Sequence, residues 1–512
     1  MIGDLRESRP LVSLIVTPCD PPEMLLCSLR SAAGGDYSNL QILLANDGRE
    51  GLKELAALTG DPRVVVCPPS EGAGPGQVLQ NAADLAGGDY VAYLMGGDIH
   101  YTFHVRSLLA VLEGSADAQV AFGGFYKTYC KLSGKAEPMV MGKALAWEGD
   151  FDRWLLCRGD CIRLSAVMHR RELAQRAGGF DGQLPAMVEW DFLRRLAFYS
   201  DFTQVPQVTG EHYYYVVGGP SPGAGPTRDV SDEVAPAIRA KRPPKPWAKM
   251  PDLSILLAPC HGLAARAAML EGIRRHTFVP HRIYLPTPKE SPSLDLGIPN
   301  VVSVPVTTGA PVDARIDKAL ACCDGDYVAV ILGDVSPGPA WVEFPLHSLI
   351  KASSRGAMAI PNQPEGLWTA VMERQQFLHA RRANPALTIR RSLQAAGIAP
   401  REPAEEDHPF ACRRMLAEVR RLQQDGDWRR SADICLQAED SWREAMPLHR
   451  QALRALYRLG RQEEALKLSA AINRRQPSVQ TLLVEGKLLR RANRTHEAVA
   501  ILREAHAALT RG

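Results

Sequence analysis

The stretch Pro10-Leu-Val-Ser-Leu-Ile-Val-Thr-Pro-Cys-Asp20 decides the fold class, because a short apolar run is followed directly by polar residues. Further short apolar runs follow at 41–45, 63–67 and 90–94. Segments with apolar residues at helical spacing lie between them, at 22–33 and 76–86. Strands that alternate with helices predict a parallel sheet covered on both faces. Continuous apolar strands agree with burial on both sides. The sequence therefore predicts an α/β fold.

Two parts of this pattern recur later in the chain. Ser13-Leu-Ile-Val-Thr-Pro-Cys-Asp20 is echoed by Ser254-Ile-Leu-Leu-Ala-Pro-Cys-His261. Gly88-Asp-Tyr-Val-Ala-Tyr-Leu-Met-Gly-Gly-Asp98 is echoed by Gly325-Asp-Tyr-Val-Ala-Val-Ile-Leu-Gly-Asp334. Two unrelated signals keep nearly the same separation, roughly 240 residues. Repetition of this kind predicts two related α/β units in tandem.

Beyond about residue 401 the strand signals stop and the chain becomes helical. Ala432, Ala465 and Ala498 recur with a period of 33, and Gly460 and Asn493 each precede an alanine by five residues. This pattern resembles tetratricopeptide repeats, in which small residues allow a helix pair to pack closely. An unrelated helical bundle remains an alternative.

These signals divide the chain into four parts. They are an α/β domain at 1–217, a Pro/Gly-rich linker at 218–251, a second, degenerate α/β domain at 252–400 and helical repeats at 401–512. The basic stretch from Arg239 to Lys249 falls in the linker and is interpreted as solvated.

Composition excludes several classes of protein. The 512 residues carry 60 basic and 57 acidic side chains, a net charge of +3 that gives no case for nucleic-acid binding. No run approaches the ~20 apolar residues of a membrane span, so any membrane association would be peripheral, at the inner face. The 11 cysteines follow no zinc spacing and predict reduced thiols in a cytoplasmic protein.

The opening strand, together with Gln41-Ile-Leu-Leu-Ala-Asn-Asp-Gly48, resembles a family-two inverting glycosyltransferase of the glycosyltransferase A fold. In that family the strand ends bind the nucleotide sugar, which is the general ligand position in open α/β sheets. The resemblance places six residues at the nucleotide sugar: Thr17, Pro18, Asp20, Asn46, Asp47 and Gly97. Asp47 would accept a hydrogen bond from the base or ribose. A plain Asn-Asp-Gly turn is the alternative interpretation of 46–48.

The same resemblance implies a divalent cation, Mn or Mg, on the donor diphosphate. The family carries an Asp-x-Asp where this chain has Met95 and Gly97, so only Asp98 remains, one residue late. A bulge at Gly96-Gly97 would bring Asp98 into place. His212 is the candidate third ligand, and Asp334 is the candidate metal ligand of the second unit.

The acceptor-side signature of the family is similar to Gly178-Gly-Phe-Asp181 followed by Val188-Glu-Trp-Asp191. By position Glu189 would be the general base that deprotonates the acceptor hydroxyl. Asp191 would act beside it, as a helix cap or an acceptor contact. The alternative is that both are helix N-terminal acids favoured by the helix dipole.

The sequence thus predicts transfer of a sugar from a nucleotide-sugar donor to a protein or glycan acceptor, of the flagellin or cell-surface-glycan kind, by inverting displacement. The helical repeats would bind a protein partner. No Gly-Gly-Phe-Asp follows Trp341-Val-Glu343, so the second unit lacks a recognisable base. A catalytically inactive binding scaffold is the alternative function.

Overall fold

The chain forms two compact units, residues 1–147 with 151–407 and residues 148–150 with 408–512. A computed structural model describes residues 9–132, 138–145, 151–217, 228–257, 263–288, 300–331, 337–338, 340–352, 356–360, 370–401, 403, 411–441, 446–475 and 479–511. The metal ligand predicted at Asp334 lies outside the described residues.

The first unit opens with a mixed α/β sheet. Its described strands are β1 (Val12–Val16), β2 (Leu40–Leu44), β3 (Val64–Val66), β4 (Tyr90–Leu94), β5 (Asp98–His100), β6 (Val120–Leu132), β7 (Pro138–Leu145), β8 (Val167–Arg170) and β9 (Phe202–Val217). Helices α1 (Pro22–Ala33), α2 (Leu52–Ala57), α3 (Pro75–Asp84), α4 (His104–Gly114), α5 (Arg153–Arg158), α6 (Arg171–Arg176), α7 (Val188–Leu196) and α8 (Arg228–Ala240) accompany it. The predicted first four strands and first two long helices are confirmed, within one or two residues at each end.

The strand order is β3-β2-β1-β4-β8-β6-β9-β5, and β7 pairs with β6. Strands β1 to β4 are parallel, as predicted, whereas β8 runs antiparallel between β4 and β6. In this register Val16 lies beside both Leu44 and Leu94, so β1, β2 and β4 end together at one edge. Buried apolar clusters cover both faces of the sheet. The polar residues that follow these strands therefore share one edge.

A second sheet has the order β12-β11-β10-β13-β15-β14-β16. Its described strands are β10 (Leu253–Leu257), β11 (His281–Pro288), β12 (Val301–Val306), β13 (Tyr327–Ile331), β14 (Ala357–Ala359), β15 (Ala370–Glu373) and β16 (Pro400–Arg401). Its helices are α9 (Leu263–His276), α10 (Val312–Cys322), α11 (Glu343–Lys351), α12 (Arg374–Ala383) and α13 (Ile389–Ala395). The first three strands and β13 are parallel, and β15 is antiparallel to β13. This arrangement repeats that of β3-β2-β1-β4-β8.

One contact explains why the two Gly-Asp-Tyr segments resemble each other. The Gly88 amide donates to Ser13 Oγ at 2.9 Å, and the Gly325 amide donates to Ser254 Oγ at 3.0 Å. A Cβ on Gly88 would lie 2.6 Å from a backbone carbonyl oxygen, and one on Gly325 would lie 2.8 Å from another. Only glycine is therefore small enough at these two positions for the hydrogen bond from its amide to the serine of the central strand. In each sheet this bond joins the central strand to the start of its neighbour.

Residues 228–251 pack in part against the first sheet. Helix α8 occupies 228–240, and Ile238 is fully buried in the core of that sheet. Arg242 forms an ion pair with the buried carboxylate of Asp252, as a buried charge requires. Lys249 is exposed and forms a surface ion pair with Asp201. The interpretation of Arg239 to Lys249 as solvated therefore fails at Arg242, whose side chain is 11% exposed, and agrees with the exposure of Lys249.

The second compact unit is helical. Its described helices are α14 (Ala411–Gln424), α15 (Trp428–Ser441), α16 (Met446–Arg458), α17 (Gln462–Arg475), α18 (Val479–Arg491) and α19 (Thr495–Arg511). The periodic alanines Ala432, Ala465 and Ala498 are each at most 2% exposed. Gly460 and Asn493 both take positive φ in turns between helices, as the sequence placed them. The tetratricopeptide assignment itself stays a prediction.

Of the helices within the described ranges, none combines the length and the apolar character required to cross a membrane.

We expect Gly88→Ala and Gly325→Ala to destabilise the protein by similar amounts, about 1–3 kcal/mol each, because the added methyl overlaps backbone atoms that cannot move independently. Urea unfolding midpoints measure the loss. The control is Gly114→Ala at the end of α4, where a Cβ meets nothing within 4 Å. A midpoint of either variant equal to that of the control would contradict the shared contact.

Candidate functional site

A tight turn connects β4 to β5 at the edge of the first sheet. The Asp98 amide donates to the Met95 carbonyl at 2.9 Å, and Gly97 has a φ of 88°. The predicted bulge is therefore a turn, with glycine where positive φ is required. The amide of Gly97 is buried and donates to Ser28 Oγ at 3.0 Å. Gly97 thus forms part of the turn, and its contact with the donor stays a prediction.

Asp98 is fully buried at the centre of a polar cluster. Its carboxylate accepts hydrogen bonds from Ser165 Oγ at 2.5 Å and from Arg163 Nε at 3.2 Å, and His212 Nδ1 lies 2.5 Å away. Burial alone would raise the pKa of Asp98, but the Arg163 charge and the hydrogen bond from His212 lower it. The ionised carboxylate is therefore stable inside the protein because every side is paired.

The residues present do not fit the divalent cation that the resemblance implies. Mg and Mn need several oxygen ligands, usually including carboxylates that face the ligand. Asp98 and His212 do come together, as predicted for metal ligands, but they bind each other and Arg163. Within the described ranges no group of three His, Cys, Asp or Glu side chains could hold a metal.

The carboxyl ends of β1 and β2 carry a second charged group. Arg49 binds Asp47 through two guanidinium nitrogens at 2.8 and 3.0 Å, and its Nη1 lies 3.2 Å from Asp20. Partial burial raises the pKa of Asp47, but the hydrogen bonds from Arg49 outweigh it and lower the pKa overall. Both Arg49 and Asp98 act electrostatically on the buried Cys19 thiol, so the two charged groups are neighbours.

Three predicted donor residues at this edge differ in their availability. Thr17 Oγ1 is buried and accepts the Gly96 amide at 2.9 Å, which ties β1 to the turn after β4. The Asn46 amide donates to the Cys67 carbonyl, and its Oδ1 accepts the Gly48 amide. Thr17 and Asn46 therefore hold strand ends together through their side chains, and their place at the nucleotide sugar stays a prediction. Pro18 is half-buried at the rim.

The Gly-Gly-Phe-Asp segment is a helix-ending turn. Gly178 and Gly179 both have positive φ, and Gln80 Oε1 accepts the Phe180 amide at 2.6 Å. Phe180 stacks on Phe192 of α7 with ring centroids 4.2 Å apart. The Gly-Gly-Phe-Asp segment, which the resemblance placed on the acceptor side, therefore has a structural role here. It fixes the position of α7 and of the acids in the first turn of that helix.

Asp191 is fully buried and holds this helix in place. Its carboxylate binds Arg195 at 2.7 Å and Lys241 at 2.9 Å, and Lys241 also binds Asp181 at 2.6 Å. A carboxylate without solvent access and with two cationic partners cannot contact an acceptor. The prediction of Asp191 as a catalytic residue is therefore corrected, and it is a structural ion pair.

Glu189 lies in the same helical turn but is only half-buried. The side chain of Asp160 is exposed to solvent and lies near Glu189. Burial and, next, repulsion from the Glu189 carboxylate raise the pKa of Asp160 to about 6. The charges of Arg163 and Lys127 oppose this rise, so both cations lie near the carboxylate pair.

Asp160 and Arg163 were not predicted from the sequence. They belong to Arg158-Gly-Asp-Cys-Ile-Arg163, the stretch between α5 and a short 3-10 helix at Leu164–Ala166. The sequence does contain a signal that could have indicated them. Asp160 and Arg163 lie on either side of buried Ile162, in a segment without helical or strand periodicity. Loops held by rigid elements are where functional side chains concentrate.

No protein-family model matches this chain, and no curated protein matches it. Solved structures do match. S. aureus TarS 1–349 in complex with UDP-GlcNAc is 14% identical, with a TM-score of 0.35, over 45% of this chain and 65% of that chain. The mannosyltransferase PcManGT from Pyrobaculum calidifontis, in complex with GDP-Man and Mn²⁺, is 15% identical, with a TM-score of 0.32, over 46% of this chain and 66% of that chain.

Both proteins are glycosyltransferases. The chain spans less than two-thirds of the length of either structure.

We expect Asp160→Asn to stabilise the protein above pH 6. Because folding raises the pKa of Asp160 from 3.8 to about 6, its ionised form costs stability, and this cost vanishes below about pH 4, where both states are protonated. Thermal unfolding midpoints at pH 4 and pH 7.5 measure the difference. The control is Asp181→Asn, for which the expected change in stability has the opposite sign. Burial raises the pKa of Asp181, but the hydrogen bond from Lys241 outweighs it and lowers the pKa overall, so the ionised carboxylate stabilises the fold. Asp181→Asn should therefore destabilise the protein at pH 7.5. Equal midpoints for Asp160→Asn and the natural chain at pH 7.5 would refute the placement of Asp160.

Proposed function

We propose that this protein is a glycosyltransferase that moves a sugar from a nucleotide-sugar donor to a protein or glycan acceptor by inverting displacement. The observation that carries the proposal is that two solvent-accessible carboxylates, Asp160 and Glu189, lie near each other and near the cations Arg163 and Lys127. Arg163 also contacts Asp98, which follows β4 at the sheet edge where β1, β2 and β4 end. A sugar diphosphate requires cations, and an acceptor hydroxyl requires a base, so this group of charges offers both.

Glu189 is the proposed general base. It belongs to the first turn of α7, and the stacked Phe180 and the Asp191 ion pairs fix this helix. A base must keep its position relative to the attacking hydroxyl within hydrogen-bond distance. The hydroxyl would lose its proton to Glu189 as its oxygen forms the bond to the anomeric carbon and the nucleoside diphosphate leaves.

The donor nucleoside is proposed to bind where β1 and β2 end. Asp20, Asp47 and Arg49 form a charged group at that edge, and Asp20 is exposed. A carboxylate here can accept hydrogen bonds from a ribose or base. Pro18 would contribute an apolar contact at the rim. This arrangement directs the diphosphate from the ends of β1 and β2 toward Arg163.

The second sheet is proposed to be a degenerate copy of the first. Its strand order and the Ser254–Gly325 hydrogen bond both repeat those of the first sheet. Where a base would be sought, Glu343 is buried and accepts the backbone amide of Phe278 at 2.7 Å. A buried carboxylate of this kind supports the fold, so a structural role suits the second copy.

We expect Glu189→Gln to reduce sugar transfer and donor hydrolysis by about 100-fold or more, because general-base catalysis typically contributes ~10²–10⁴. Donor binding should stay within a factor of two, since Glu189 contacts the acceptor side. Nucleotide release from a panel of nucleotide sugars measures turnover, and calorimetry measures binding.

The matched control is Glu172→Gln, because Glu172 is also a first-turn acid but is exposed on α6. It should leave both values unchanged. Binding of a nucleotide sugar with a turnover that Glu189→Gln does not alter would remove Glu189 as the base. Absence of binding to every member of the panel would reject the glycosyltransferase itself.

A binding scaffold is the second candidate, and a groove in the helical unit favours it. The groove has a volume of about 420 Å³ and is lined by Arg420, Gln423, Gln424, Trp428, Gln451, Arg454 and Arg458. The guanidinium groups of Arg454 and Arg458 lie over the Trp428 ring, 5.9 and 5.5 Å from its centre. Cations fixed on an aromatic face suit an acidic segment of a partner protein.

This groove predicts binding of a deca-glutamate peptide, weakened at least fivefold by Arg454→Gln/Arg458→Gln, because the paired cations supply the attraction. Fluorescence anisotropy of the labelled peptide measures it, with deca-lysine as the negative probe. Arg503→Gln, an exposed arginine outside the groove, serves as the control. Equal affinity of all three proteins would exclude the groove as the acidic-peptide site.

A further inference from the structure

We propose that Arg163, held by Asp98, replaces the divalent cation at the donor diphosphate, so that this protein binds nucleotide sugars without a metal. The inference rests on the proposed function, since it concerns the diphosphate of the same donor. It departs from the cation that the family resemblance implies, and the contacts of Asp98 and Arg163 carry it.

The first step is that Asp98 is already occupied. Its carboxylate is fully buried and interacts with Arg163, Ser165 and His212. The two neighbouring positions that would carry acids hold Met95 and Gly97, which provide no oxygen from a side chain. A hard cation at this point would therefore have one carboxylate, which faces away from solvent and is neutralised by an arginine.

The second step is the orientation of Arg163. Its Nε and Nη2 face Asp98 at 3.2 and 3.4 Å, and its side chain is 28% exposed. Among the described residues, no hydrogen-bond acceptor meets its Nη1. The guanidinium thus has one edge bound to Asp98, and the side chain is partly open to solvent. The planar fork of arginine suits two phosphate oxygens and is always charged.

The third step is that this cation cannot move away from the site. Ser165 and His212 hold the carboxylate of Asp98, and the turn at Gly97 fixes its backbone. Arg163 lies near Asp160 of the carboxylate pair, and Lys127 adds a second positive charge there. A fixed cation beside the leaving group stabilises the charge that develops on the departing diphosphate, which is the task a metal would perform.

The test is calorimetric binding of UDP and GDP to the full chain, in 1 mM EDTA and in 1 mM MnCl₂, for the natural protein and its variants. Under the proposal at least one of the two nucleotides binds, with affinities in the two buffers that agree within twofold. Arg163→Met should weaken this binding at least tenfold in both buffers. Arg106→Met, an exposed arginine in α4, is the control and should bind as the natural chain does.

Removal of Arg163 leaves Asp98 buried and unpaired, which can unfold the protein. The double variant Arg163→Met/Asp98→Asn removes both charges and should fold, as circular dichroism would check, while it still binds the nucleotide at least tenfold more weakly. Binding that requires Mn²⁺ and is lost in Asp98→Asn would overturn the inference and leave the glycosyltransferase standing. Failure of both nucleotides to bind in either buffer would reject the glycosyltransferase as well.

Discussion

The burial of one carboxylate constrains much of the first sheet. Asp98 has no solvent exposure, and an ionised group in such a place is stable only if charges and hydrogen bonds surround it. Arg163, Ser165 and His212 meet this need from segments distant in the chain. The same contacts pair β5 with β9 and fix the loop that carries Asp160. The positions of the charged side chains around Asp98 thus follow from the free-energy cost of burying its carboxylate.

A second set of contacts positions the proposed base. Lys241 binds Asp191 and Asp181, while buried Arg194 donates to the carbonyls of Lys241 and Phe278. Helix α7 is therefore bound to the segment after α8 and to the connection between α9 and β11. The partly packed segment at 228–251, which its Pro/Gly-rich composition led us to interpret as a linker, thus helps to position α7. Local composition says little about a segment whose charges are satisfied by distant carboxylates.

Much of the α/β framework could be predicted from the chain, but little of the site could. Apolar runs placed β1 to β4 correctly, because burial on both faces of a sheet requires them. The Gly-Gly-Phe-Asp segment led to Glu189 and its half-exposed position in the first turn of α7, yet its own residues form a turn and a packing contact. Thr17, Asn46 and Gly97 are near the predicted pocket but satisfy hydrogen bonds of the backbone. Family position pointed to this edge of the sheet, but it could not show that the side chains of Thr17 and Asn46 are hydrogen-bonded to the backbone there.

The sequence by itself determined strands β1 to β4 with helices α1 and α3, the repeated serine–glycine signals and the helical tail, since each depends on residues close together in the chain. Only the tertiary structure decided that Asp98 is paired rather than open, that Asp191 is structural, and that Asp160 lies near Arg163 and Glu189. The physical reason is that the charge state, burial and orientation of a side chain depend on partners that are tens of residues away, such as the 65 residues between Asp98 and Arg163. No local pattern encodes such a distance.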